Sequence, residues 1–157
     1  MEKFTHLDKK DNPAMVDVGE KQVTRRTAKA RSIIILDDKI MAQLENGEIK
    51  TKKGAVFQTA IIAGVMGAKK TGELIPLCHP LGLENCQIDI SVNEDNHVEI
   101  ICTASLTAKT GVEMEALTGA SIAALTIYDM CKGFSHNITI AETRLIEKTG
   151  GKKDFKL

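Results

Sequence analysis

Residues 86–106 read CQIDISVNEDNHVEIICTASL, and this stretch decides the fold. Cys86, Ile88, Ile90 and Val92 alternate with Gln87, Asp89 and Ser91. After Asn93-Glu94-Asp95-Asn96 the alternation resumes with Val98, Ile100, Cys102, Ala104 and Leu106. Period two with one apolar set describes a strand buried on one face. Two such runs around a short polar turn predict an antiparallel hairpin. Downstream, a loop from Thr107 to Gly111 leads to a helix over about 113–132. Its apolar stripe is Leu117, Ala120, Ala124, Ile127 and Cys131. Ile122 and Leu125 lie off the stripe, so the helix is expected to be covered on more than one side. Ile138 to Glu147 reads as a last strand.

Upstream, Thr24 to Leu36 repeats the period of two and ends Ile-rich, which predicts a strand. Asp37 is placed to cap a short helix presenting Ile40, Met41 and Leu44 and ending before Gly47. Residues 47–53 read as a polar connector, 55–70 as a helix, and 71–85 as a loop holding Pro76 and Pro80. In the 55–70 helix, Ala60, Ala63, Gly64, Gly67 and Ala68 are all small. Each Gly costs about 1 kcal/mol relative to Ala, so close packing against a sheet or a partner helix is the expected compensation. The order strand, helices, strand, strand, helix, strand is the split β-α-β order. It predicts an α+β fold: a ferredoxin-like antiparallel sheet with helices packed on one face, in a single domain spanning 1–157. A partner subunit is the expected cover for the other face.

The 157 residues fit one domain that can bury roughly 70% of its unfolded surface. With one Tyr, four Phe and no Trp, stacking platforms for single-stranded nucleic acid are lacking. A net charge of zero argues against binding a phosphate backbone. No stretch is apolar enough for a signal peptide or a membrane helix. Cys78, Cys86, Cys102 and Cys131 form no metal or disulfide spacing. Reduced thiols in a cytoplasmic protein are therefore expected, with no membrane or nucleic-acid partner and no metal site.

Charge is unevenly spread. Residues 1–31 carry +3, residues 148–157 carry +3, and the body between them carries −6. Residues 1–23, without clean period, read as a mobile basic arm, and about 148–157 as a basic tail. Charge alone leaves two readings: solvated ends, or ends that fold back to hold an anion such as a phosphate. The glycines of Thr149-Gly150-Gly151-Lys152-Lys153 would let backbone N–H groups approach that anion.

Three segments carry candidate chemistry. In Leu74-Ile75-Pro76-Leu77-Cys78-His79-Pro80-Leu81, two prolines fix the backbone around Cys78 and His79. His79 is either a satisfied structural histidine or a ligand contact. In Lys109-Thr110-Gly111-Val112-Glu113-Met114-Glu115, two carboxylates open a helix, where the dipole favours them. They serve that role alone, or bind the N–H donors of a heterocycle such as guanine or a pterin. Asp129 and Lys132, at i and i+3, can meet on one helix face. They are a surface pair, or a partly buried pair with shifted pKa values acting as acid and base.

These segments together resemble one family closely: the cyclic pyranopterin monophosphate synthases of molybdenum cofactor biosynthesis. The matching stretches are MVDV at 15–18, Lys53-Gly54 and Val56-Phe57, LIPLCHPL at 74–81, KTGVEMEALT at 109–118, ALTIYDMCK at 124–132 and KTGGK at 148–152. Gly19, where the family often has Ser, and Ala55, where an acidic residue is common, depart from the pattern. The resemblance implies a substrate, 3′,8-cyclo-7,8-dihydroguanosine 5′-triphosphate, rearranged to a pyranopterin with a cyclic phosphate and release of diphosphate. It implies acid–base chemistry at Asp129 and Lys132 with Lys53 close by. It implies a pocket lined by Leu77, Cys78, His79, Glu113, Met114 and Glu115, and a triphosphate received by Lys21, Arg26 and Lys148. It also implies a homohexamer built from dimers, with sites between subunits. No cofactor is implied, beyond Mg2+ that could accompany the triphosphate. The rival is a non-catalytic ferredoxin-like module that senses a nucleotide or pterin; it would need the pocket but not the Asp129–Lys132 pair.

Overall fold

The computed structural model describes residues 4–157, so the first three residues of the expected arm lie outside the described residues. The chain runs through β1 (Thr24–Leu36), α1 (Asp38–Met41), β2 (Leu44–Glu45), β3 (Glu48–Thr51), β4 (Gly54–Ala55), α2 (Val56–Lys69) and α3 (Thr71–Leu74). It continues through β5 (Asn85–Val92), β6 (Val98–Ala108), α4 (Glu113–Cys131), β7 (Ile138–Thr149) and β8 (Phe155–Lys156). The main sheet has the order β5-β6-β1-β7-β8. Every neighbouring pair is antiparallel, which is the ferredoxin-like arrangement with β8 added at the edge.

Alternation along β1 places the core. Ala28, Ala30, Ser32, Ile34 and Leu36 are buried, and the residues between them are less so. Ala30 lies opposite Cys102 of β6 and Leu145 of β7, so one apolar layer crosses three strands. Helices α2 and α4 cover this layer with Phe57, Ala60, Ala116, Ala120, Ala124 and Ile127. The β5–β6 turn is closed by Asn93, whose side chain accepts the N–H groups of Asp95 and His97 at 3.0 Å each.

The small face of α2 is used inside the chain. A Cβ at Gly64 would stand 2.8 Å from the Gly119 carbonyl oxygen of α4 and 2.1 Å from Ile88 Cδ1 of β5. The compensation for those glycines is helix–helix and helix–sheet contact within one chain, so this face is no argument for a partner helix.

Residues 38–55 differ from the expected helix and polar connector. Asp37 does cap α1, accepting the Ile40 N–H at 3.1 Å, but the helix stops at Met41. Leu44 then opens a three-stranded meander. Its first turn is Asn46-Gly47 with φ of 51° and 75°, the pair of positive values a two-residue hairpin requires. The expected loop at 71–85 begins with α3. The expected tail runs on from β7, turns at Gly150, and returns as β8 against Glu147 and Lys148. No helix among the described residues is long and apolar enough to cross a membrane.

Candidate active site

At the start of α4 lies a cavity of about 510 Å³. Its walls come from four parts of the chain: Lys21 of the N-terminal arm, Leu77, Cys78 and His79 of the proline-framed loop, Glu113, Met114 and Glu115 of α4, and Lys148 of β7. The arm is fastened over it at two points. His79 Nε2–H donates to the Val16 carbonyl at 2.6 Å, and Lys109 Nζ donates to the Gly19 carbonyl at 2.7 Å. One ring nitrogen of His79 is therefore engaged in holding the arm.

Glu113 Oε1 and Lys148 Nζ pair at 2.9 Å. A Cβ at Gly111 would stand 2.1 Å from Glu113 Oε2, so glycine leaves the carboxylate room to lie there. Glu115 is 3% exposed. Burial, reinforced by the charge of Glu113, raises its carboxyl pKa above the ordinary range. Burial, together with the Glu115 carboxylate, pushes the Cys78 thiol up, which makes it a neutral wall group rather than a thiolate nucleophile. Arg26 lines a small adjoining cleft that shares Gly111, Glu113 and Lys148 with the cavity. Its Nη2 donates to the Lys109 carbonyl at 3.3 Å, while its buried Nε has no partner among the described residues.

A second cavity, about 540 Å³, opens at the other end of α4. Here Asp129 is gripped from both sides: Lys53 Nζ to Oδ2 at 2.9 Å and Lys132 Nζ to Oδ1 at 2.8 Å. The hydrogen bonds and charges of Lys132 and Lys53 lower the Asp129 pKa to about 2. Asp129 in turn raises the pKa of Lys132. The resting cluster is a carboxylate between two ammonium groups, and Lys132 enters any reaction as a proton donor or cation. The side chains of Asp129 and Lys132 are 53% and 48% exposed. Of the two readings left open for this pair, the exposure favours the surface pair: Asp129 sits at the solvent edge of the helix.

Within one chain these residues do not form one site. Glu113 and Asp129 lie sixteen residues apart on α4, which is ~24 Å at about 1.5 Å per residue. The pocket residues and Lys21 and Lys148 gather at one end, and Lys53, Asp129 and Lys132 gather at the other. Sequence reasoning missed His6 and Val16 of the arm in the first cavity, and Phe134 and His136 in the second. Phe134 and His136 follow Lys132 by two and four residues, and closeness to the charged pair was the signal available for them.

Two cavities of small-molecule size, lined by lysines and carboxylates on an α+β domain, define an enzyme-like protein that handles a small charged compound. The comparisons give its family. The model of the MoaC family matches residues 15–151, and the chain belongs to that family. It is 49% identical over 153 residues to a cyclic pyranopterin monophosphate synthase of Xanthomonas campestris pv. campestris (strain B100), covering 98% of this chain and 93% of that protein. It is 52% identical to a molybdenum cofactor biosynthesis bifunctional protein of Synechocystis sp., covering 96% of this chain and 45% of that protein. It is 46% identical to molybdenum cofactor biosynthesis protein 1 of Dictyostelium discoideum, covering 95% of this chain and 26% of that protein.

Proposed function

We propose that the chain is a cyclic pyranopterin monophosphate synthase, a lyase of molybdenum cofactor biosynthesis. It converts 3′,8-cyclo-7,8-dihydroguanosine 5′-triphosphate to cyclic pyranopterin monophosphate and releases diphosphate. The observation that carries this reading is the division of labour along α4. Buried Glu115, Glu113 and the His79 loop offer acceptors for a heterocycle beside Lys148, Lys21 and Arg26 for its phosphates. The Lys53–Asp129–Lys132 cluster offers proton donors and a carboxylate. Ring opening and reclosure need proton transfers, typically worth about 10²–10⁴-fold each. Diphosphate departure needs positive charge held where negative charge develops.

A catalytic site then needs both ends of α4, and one chain holds them ~24 Å apart. In this reading a second copy supplies the missing end, in a homohexamer built from dimers. Self-complementary contact of two chains would create two equivalent sites. We assign no resident cofactor; Mg2+ accompanying the triphosphate would arrive with the substrate. The reaction belongs to the cytoplasm, where a GTP-derived substrate is available.

The sensing-module alternative has no use for a carboxylate held between two lysines. Incubation with the cyclised GTP compound separates the two readings. Stoichiometric release of diphosphate is expected; binding without release would favour the sensor.

A further inference from the structure

Helix α2 begins without a cap of its own. Its N-cap residue is Ala55, which has no side-chain acceptor for the free N–H groups of the first turn. Those groups are satisfied from another element. Glu48 of β3 accepts the Phe57 N–H at 2.8 Å and the Gln58 N–H at 3.1 Å, and its Oε1 also takes the Ile49 N–H at 2.7 Å. Phe57 and Gln58 carry the second and third helical N–H groups, the donors an N-cap side chain normally takes. A carboxylate in that place also meets the positive end of the helix dipole.

Between Glu48 and Phe57 lies the β3–β4 hairpin, with Lys53 in its turn. The turn is internally fixed. Thr51 Oγ1 accepts the Lys53 N–H at 3.0 Å and donates to the Gly54 carbonyl at 3.3 Å, and Gly54 has φ of 115°. Lys53 is thus set relative to its hairpin, and the Glu48 carboxylate sets the hairpin relative to α2. Burial of Ile49 anchors the strand in the core, and the Glu48 carboxylate ties it to the first turn of α2. The ammonium of Lys53 must meet Asp129 across a gap that a small tilt of the hairpin would open.

We propose that Glu48 is a positioning residue for Lys53: its carboxylate clamps the β3–β4 hairpin onto the start of α2 and so holds Lys53 against Asp129. Its catalytic consequence rests on the function proposed above; its geometric consequence does not. The test uses full-length Glu48→Ala, and the same variant carrying Ala55→Asp, which gives α2 a local cap. At pH 7 the Asp129 ¹³Cγ NMR signal of Glu48→Ala should move toward its position in Lys53→Ala. Turnover should fall ~10-fold or more with KM little changed, because ångström-scale misplacement of a reacting group is costly. Ala55→Asp should return the melting temperature but not the turnover. An unmoved Asp129 signal in folded Glu48→Ala overturns the proposal whatever the activity. Turnover recovering together with the melting temperature also overturns it, by reducing Glu48 to a cap. Absence of the reaction in the parent enzyme would sink the function and leave the NMR result standing.

Discussion

Glu113 and Asp129 face two different cavities from opposite ends of one helix. Each is paired with lysine from elsewhere in the chain: Glu113 with Lys148, and Asp129 with Lys53. In the proposed function, helix α4 is the spacer between a recognition end and a proton-transfer end. Damage at the two ends should therefore leave different signatures.

Asp129→Asn and Lys132→Ala should each lower turnover by at least ~10²-fold, the low end for loss of a general acid or base. KM should change far less, because the other cavity is untouched. Both side chains are about half exposed, so loss of the solvent-screened ion pairs should lower the melting temperature only slightly. Diphosphate release measured beside thermal melts checks this. Near-parental turnover would remove that residue from the chemistry.

Glu115 supplies a pH signature. Its carboxyl pKa is raised by burial in the folded chain, so the folded state holds that proton more tightly than the unfolded one. Stability from this group is complete below the unfolded value of about 4.3 and is lost as pH rises through the folded value. Glu115→Gln should therefore melt higher than the parent at pH 7, and the difference should close as pH falls toward 4. Asp129 works in the opposite sense. Its contribution is present above the unfolded value of about 3.9 and is lost as pH falls toward about 2. Melts across pH 3–8 of the parent and Glu115→Gln test the first; a rise of the Asp129 titration midpoint in Lys53→Ala/Lys132→Ala tests the second.

At the phosphate end the three cations should not be equal. Lys148→Ala also frees the Glu113 carboxylate from its partner, which adds negative charge beside the incoming phosphates. Its KM should rise more than that of Lys21→Ala, and Arg26→Ala should weaken binding through the adjoining cleft. Salt should shrink the Lys21 effect most, since exposed charges are screened most. Unchanged KM in all three variants would return them to solvated ends.

Gly150 shapes this end of the protein. Its φ is 86°, and a Cβ there would stand 1.8 Å from the Arg25 carbonyl oxygen. Gly150→Ala should lower the melting temperature by at least roughly 4–8 °C, since the left-handed backbone alone costs ~2 kcal/mol in a chain of this size and the clash with the Arg25 carbonyl adds to it. It should also raise KM, because Lys148 lies two residues away. A parental melt would contradict this.

The sheet was legible because its strands alternate cleanly: Thr24–Leu36 was read to the residue, and the 86–106 hairpin differs only at its ends. The 44–55 meander was not. Its strands span two to four residues, too short for a period, and the one local signal, Asn46-Gly47, was absorbed into the end of a helix. The small face of α2 announced close packing but not the packing element, because Gly64 meets Gly119 fifty-five positions away. Motif resemblance put the candidate residues in one list; their separation along α4 could have been measured from the helix length alone. The exposure of Asp129 was harder to see, since its neighbours on α4 are largely apolar.

In the proposed enzyme, one working site takes its recognition end from one chain and its proton-transfer end from another. The direct test is complementation: co-express Asp129→Asn, impaired in turnover, with Glu113→Ala/Lys148→Ala, impaired in binding, and assay diphosphate release from the purified mixture at substrate well below the parental KM. Shared sites predict that mixed pairs regain one intact site of two, or about a quarter of parental turnover for random two-fold pairing. Turnover no greater than the sum of the separate variants would contradict the account.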